Sequence, residues 1–518
     1  MILWSRRRQG ESRFWCRLFF SLLRDRMMRR IHKYIGLPIA AFTLWMTASG
    51  IVLNHREWFS TIEVSRHWLP DDYQYRNWNR GFIKGALRPD HSRTLFYGNE
   101  GIWESRPGEP LVEQTEGLLP GADQRRIHRL VQAPDSLIYA ASSFHLYRLD
   151  PRQEKQIWER VVLPAHEGLI TDLEHQGDTL VVLTRSGYLM ADMSERPIRF
   201  QYATLPDSPD LPAHRSLFET FWELHSGDLF GLAGRLTVDG LGLLLSFIGI
   251  SGFLIWGYKK LIRSRKRNGK RPSLPLAQQF GWQYRQHNLF GKRLLIPLLI
   301  LTFTGACLRP PLLILLSKVR TSPVPFTTMD SDNPWHERLR SIRYDRQEQT
   351  WLLYTSEGFF TAPTLTTPAR KIPLVPPVSI MGINVLEPLE DGQWLVGSFS
   401  GLFQWDRERG DVTDLYTGKA PLPRKIPISE QMISGAALDD EWILFDYNKG
   451  ATSLQGTTRF PDMPDRLADR PMALWNLALE MHTGRYFTCL GDWSLIYPFL
   501  LGACLFAVLL SGWKIRKK

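Results

Sequence analysis

The sequence predicts a membrane protein of four transmembrane helices in two repeats, carrying an all-β, propeller-like periplasmic domain built from both outer segments. Three observations lead there. Four apolar stretches interrupt a polar chain, basic clusters flank them, and the long segments between them repeat a hairpin pattern.

The mean hydropathy of −0.22 resembles that of a soluble protein only because it averages over segregated blocks. The apolar stretches run from about Tyr34 to Asn54, Thr237 to Tyr258, Leu294 to Leu308 and Ser494 to Trp513. A helix of about 20 residues crosses the hydrocarbon of a bilayer, and three of the four reach that length. The third is broken by Arg309-Pro310-Pro311 and resumes as Leu312 to Leu316. With flanks included, the expected spans are 34–56, 221–258 with a periplasmic helical extension, 287–316, and 476–513 with a second such extension.

The net charge of +12 follows from topology. Residues 1–33 hold ten Arg or Lys, residues 259–293 hold eleven with no acid, and the chain ends in Lys514-Ile-Arg-Lys-Lys518. By the positive-inside rule the N-terminal segment 1–33, the loop 259–286 and the tail 514–518 are cytoplasmic, so both termini lie inside. The segments 57–220 and 317–475 then lie outside. Basic runs beside membrane spans answer to this rule, so nucleic acid is not an expected partner.

The run Leu18 to Leu23 is too short for a cleavable signal and is followed by Arg24-Asp-Arg26, which makes the first span the signal anchor. Residues 1–26 read either as an interfacial helix or as an over-extended start, with Met27 or Met28 the true beginning. The four cysteines, Cys16, Cys307, Cys489 and Cys504, form no CxxC, and the outer segments have no expected disulfide. Iron–sulfur ligation by four thiolates is excluded on the same count.

Six hairpin-like units fill the outer segments. They are Tyr97 to Trp103, Ala141 to Asp150, Thr184 to Asp192, Thr355 to Phe360, Gly397 to Asp406 and Tyr447 to Gly450. Each sets a tight turn, often with glycine, between apolar runs. Their spacing of roughly 40 residues is that of propeller blades.

The candidate functional residues are histidines at matching places in the two copies. Arg30-Ile-His32-Lys-Tyr-Ile-Gly36 and Arg285-Gln-His287-Asn-Leu-Phe-Gly291 open outward spans. Glu223-Leu-His225-Ser-Gly227 and Glu480-Met-His482-Thr-Gly484 precede inward ones. His55 closes the first span, with Pro310 at its place in the second copy. A helix rises 1.5 Å per residue, so His32 and His55 stand about 34 Å apart along one helix. Two axial imidazoles must share a depth. The permitted pairs are therefore His32 with His287 inside, and two of His55, His225 and His482 outside, with repeat symmetry favouring His225 with His482. Such pairs are what two haem sites in a helix bundle need. His55 is the odd member: it either replaces one of the others or faces a substrate as the catalytic residue. The small-residue steps at Gly50, Gly252, Gly305 and Gly512 leave room for a planar macrocycle or for a neighbouring backbone. No zinc spacing, hydrolase motif, dinucleotide fingerprint or phosphate loop is visible.

The strings Ile31-His-Lys-Tyr-Ile-Gly36 through Ser49-Gly-Ile-Val-Leu-Asn-His55, and Leu224-His-Ser-Gly-Asp-Leu-Phe-Gly231 through Ser251-Gly-Phe-Leu-Ile-Trp256, resemble the PepSY-associated transmembrane family. The likeness covers about a quarter of the chain once the second copy is counted. It departs in the blade-like outer segments and in the absence of a second His55. The resemblance implies a bacterial inner-membrane protein that carries two haem b groups, reduces a periplasmic ferric siderophore and releases Fe(II). It implies a quinol or cytoplasmic reductase as electron donor, with periplasmic and inner-membrane partners of siderophore processing. Two other readings stand beside it: a membrane-anchored propeller that scaffolds or senses without redox activity, and an iron or haem transporter.

Overall fold

The computed structural model describes residues 27–271, 273–422, 429–439, 441–454 and 460–515, so the expectations placed on Cys16 and residues 1–26 fall outside the described residues. The chain divides into two units. One comprises Met1–Arg56, His214–Asp330 and Asn476–Lys518, and the other Glu57–Ala213 and Ser331–Trp475.

The first unit is helical. Helices α1 (Gly36–Asn54), α2 (Leu217–Ser226), α3 (Gly231–Arg267), α4 (Leu274–Arg293), α5 (Leu295–Cys307), α6 (Leu312–Leu316), α7 (Leu474–Thr483) and α8 (Tyr497–Ile515) follow in chain order. Among the described residues three segments are long and apolar enough to cross a membrane: Gly36–Asn54, Asp228–Arg267 and Tyr497–Ile515. The expected third span is a bent pair instead, α4 and α5 meeting at 68°. With 13 residues, α5 rises about 20 Å, short of the roughly 30 Å of hydrocarbon. The expected cytoplasmic loop is also shorter than its charge run, because α3 continues helical to Arg267 and the chain turns only at Gly269 (φ +70°).

Small residues set the helix contacts. A Cβ on Gly249 would lie 3.3 Å from the Ala40 Cβ, and Thr47 donates to the Gly242 carbonyl at 3.2 Å, which joins α1 to α3. In the second copy a Cβ on Gly502 would lie 3.0 Å from the Ala306 Cβ, which joins α5 to α8. Without a hydrophobic drive between lipid-bathed helices, close backbone approach of this kind is what holds them. Ser216 caps α2 by accepting from the Glu219 N–H, and Gly227 (φ +87°) ends it. Any side chain at Gly227 would strike the Gly234 backbone, because the chain doubles back there onto α3.

The second unit is all β. Six antiparallel sheets of more than two strands follow in chain order, five of four strands and the last with three described strands, and a two-stranded ribbon pairs Glu63–Val64 with Met472–Ala473. All six hairpin turns read from the sequence join neighbouring strands of one sheet. In five of the sheets the first strand carries a register shift near its start, and in the first sheet the shift falls near the strand's end, between Leu87 and Asp90. Period-two alternation decides which neighbour each residue meets. Leu180 and Val182 pack with the second sheet, while Val181 and Leu183 of the same strand pack with the fourth. Six apolar cores arise in this way between consecutive sheets, and the one containing Phe96, Trp103, Ala437 and Phe445 joins the last sheet to the first.

Candidate functional site

The membrane unit brings the histidines together in two pairs. The His32 and His287 rings lie 6.1 Å apart between centroids, at 79°. The His225 and His482 rings lie 6.1 Å apart, at 50°. These are the inner pair that depth permits and the outer pair that repeat symmetry favours.

Each ring is held by the same device. The Nδ1 of His32 lies 3.1 Å from the Val508 carbonyl and 3.2 Å from the Ser511 hydroxyl. For His287 the partners are Ile248 O at 3.0 Å and Ser251 Oγ at 2.9 Å. For His225 they are Leu301 O at 3.1 Å and Thr304 Oγ1 at 3.3 Å. His482 meets Ser49 Oγ at 3.0 Å and the Met46 backbone. A carbonyl only accepts, so the proton of these rings sits on Nδ1, and any metal they bind is bound through Nε2.

The residue after each hydroxyl is glycine. All four small-residue steps lie directly against an imidazole. A Cβ on Gly305 would stand 2.6 Å from the His225 Cε1, and one on Gly512 would stand 2.8 Å from that of His32. At Gly50 and Gly252 the corresponding distances are 3.4 and 3.6 Å, to His482 and His287. Every ring also rests on the other copy: His32 on α8, His287 on α3, His225 on α5 and His482 on α1. The duplication is therefore reciprocal, each half supplying the cradle for the other half's imidazoles.

His55 joins neither pair. It is 6% exposed, and its Nε2 lies 2.5 Å from Oδ2 of Asp239 on α3. The other oxygen of Asp239 accepts from the Asn54 amide at 3.0 Å, and that amide also donates to the Ser226 carbonyl beside His225. The structure thus places His55 in an enclosed contact with Asp239, where the sequence left it either to replace one of the paired histidines or to face a substrate. That Asp239 is the partner of His55 was not read from the sequence, because an acid near a span end does not name its partner. The signal was present all the same, since an acid within a span requires a partner. Nearby on α2, Glu223 accepts from Thr328 at 3.2 Å, and burial, with Glu219 adding to it, pushes its carboxyl up to about 7.

The donor set fits a bis-imidazole metal site. Two imidazoles bound trans through nitrogen at roughly 2 Å have centroids about 6 Å apart. Both pairs have that separation, and both have Nδ1 committed elsewhere. Among the described residues no group of three His, Cys, Asp or Glu gathers to hold a bare metal ion.

Among known proteins, the family model described as the PepSY-associated TM region matches residues 1–259, half of the chain. No curated protein matches. Two solved structures from B. thetaiotaomicron are similar over 73% of the chain. One is the extracellular domain of a protein described as a one component system, at 12% identity and TM-score 0.32, with 40% of its length covered. The other is described as a hybrid two component system, at 11% identity and TM-score 0.33, with 39% covered. At those scores neither bears on fold or function.

Proposed function

The chain belongs to the PepSY-associated TM family, and from that premise we propose that it is an inner-membrane electron-transfer protein binding two haem b groups. The inner haem would be held by His32 and His287, the outer by His225 and His482. The observation that carries this reading is the twice-repeated 6.1 Å pairing of imidazoles, each with Nδ1 bonded to a carbonyl. Bis-imidazole haem is six-coordinate and suited to carrying single electrons. The chain's own residues fix ring orientation and tautomer, while the apolar helices around them exclude water.

The family resemblance extends the proposal to a periplasmic ferric siderophore as electron acceptor and to a quinol or cytoplasmic reductase as donor. Both termini would then be cytoplasmic and the β unit periplasmic. We read that unit as one six-bladed propeller. Its six cores between successive sheets support this, as does a charge network joining first strands. Arg129 of the second sheet pairs with Glu387 of the fifth, and Arg343 of the fourth pairs with Asp172 of the third. The enclosed His55 favours a structural role over a catalytic one.

The test is haem quantification on the purified chain beside His32→Ala, His225→Ala, His287→Ala and His482→Ala. Two haems per wild-type chain and one in each variant are expected. A wild type without a b-type reduced-minus-oxidised band overturns the proposal and leaves the scaffold or sensor reading.

A further inference from the structure

Resting on that reading, we infer that Arg309 anchors a carboxylate of the outer tetrapyrrole, one of its propionates. Arg309 follows α5 by two residues, and the chain there is still coiled: Leu308 N–H reaches Thr304 O at 3.2 Å, and Arg309 N–H reaches Ala306 O at 3.2 Å. Four residues past Gly305, it shares the helix face on which the His225 ring rests.

This cation has chemistry left to satisfy. Its buried Nε meets no acceptor. Glu480, near the end of α7, bonds Arg485 at 2.7 and 3.2 Å rather than Arg309. The half-buried Arg309 guanidinium is thus left with a charge to be balanced. Burying a charge without a counter-ion is costly, and a planar guanidinium matches a carboxylate through paired N–H donors. The first copy differs: its counterpart is Asn54, whose amide is spent on Asp239 and the Ser226 carbonyl. At this position the repeats are therefore symmetric in their imidazoles and asymmetric in charge.

The experiment uses the full chain, stripped of haem, in a His32→Ala background so that only the outer site reports. Iron protoporphyrin IX and its dimethyl ester are titrated in turn, and binding is followed by the visible spectrum. With Arg309 present, the free acid should bind at least about tenfold tighter than the ester, as one charge-assisted contact would give. Arg309→Gln should erase that preference and Arg309→Lys should restore part of it, while the bis-imidazole spectrum persists throughout. An undiminished preference in Arg309→Gln overturns the assignment. So does a change confined to co-purified phospholipid, which would make a lipid phosphate the ligand. If neither porphyrin gives a bis-imidazole spectrum even with Arg309 intact, the haem reading itself falls and takes this inference with it.

Discussion

The Ser251 hydroxyl meets His287 as an acceptor, because its own hydrogen is already given to the Ile248 carbonyl at 2.8 Å. The ring N–H is therefore shared between that oxygen at 2.9 Å and the same carbonyl at 3.0 Å. Ser251→Ala removes one acceptor and keeps the other. The tautomer should survive, and haem affinity at the inner site should fall by the worth of one hydrogen bond, about 1 kcal/mol or some fivefold. Titration of the haem-free chain measures it. An unchanged affinity would show that the carbonyl alone holds the ring.

The four glycines separate into two classes. A methyl at Gly305 would intrude on the His225 ring at 2.6 Å, well inside contact distance, whereas at Gly252 it would stand at 3.6 Å from His287, an ordinary contact. Gly305→Ala should therefore displace His225 and reduce the haem count from two to one, with the inner site spectrally intact. Gly252→Ala should retain both. Equal loss from the two variants would contradict the cradle described for these positions.

The histidine pairs were legible because helix rise turns residue separation into depth, and depth alone eliminates most pairings. The hairpins were legible for a similar reason: a two-residue period and a glycine turn are local properties. What stayed hidden was set by tertiary contact. The glycine steps were visible, but only the neighbouring helix reveals that they accommodate an imidazole. The 68° bend between α4 and α5 falls at Leu294, where Pro297 cannot donate to the Arg293 carbonyl, but a proline so placed reads equally as the start of a fresh helix, so the angle is not legible in the sequence. His55 was visible as a membrane-boundary imidazole, yet its meaning depended on Asp239, 184 residues away in sequence.

That pair gives a test of role. With His55 and Asp239 side chains 4% and 12% exposed, removing either partner strands a polar group in apolar surroundings. His55→Leu or Asp239→Leu alone should cost about 3 kcal/mol or more of stability. The double variant should recover most of that loss, because both groups leave together. Both haems should remain in the double variant. Thermal unfolding in detergent, followed by far-ultraviolet circular dichroism, compares the three. A stable single variant that has lost electron transfer to its acceptor would return His55 to the catalytic role expected from the sequence.

The β unit should be sensitive to acid through Glu387. Burial works to raise this carboxyl, but the guanidiniums of Arg129 and Arg343 outweigh it and hold its pKa below the usual value. A carboxyl depressed in the folded state contributes stability above its unfolded pKa of about 4.3, and that contribution is lost as pH falls through the folded value. Unfolding followed by tryptophan fluorescence should therefore show a loss of β-unit stability beginning near pH 4. Glu387→Gln leaves Arg129 and Arg343 facing a neutral amide. It should lower stability at pH 7 by about 3 kcal/mol, while flattening the decline between roughly pH 5 and 3. Glu174 contributes in the opposite sense, since burial raises its carboxyl in spite of the same two arginines. The difference between wild type and Glu387→Gln isolates the one group. An acid decline as steep in the variant as in the wild type would assign the dependence to other carboxylates and leave the Arg129–Glu387–Arg343 cluster without a part in it.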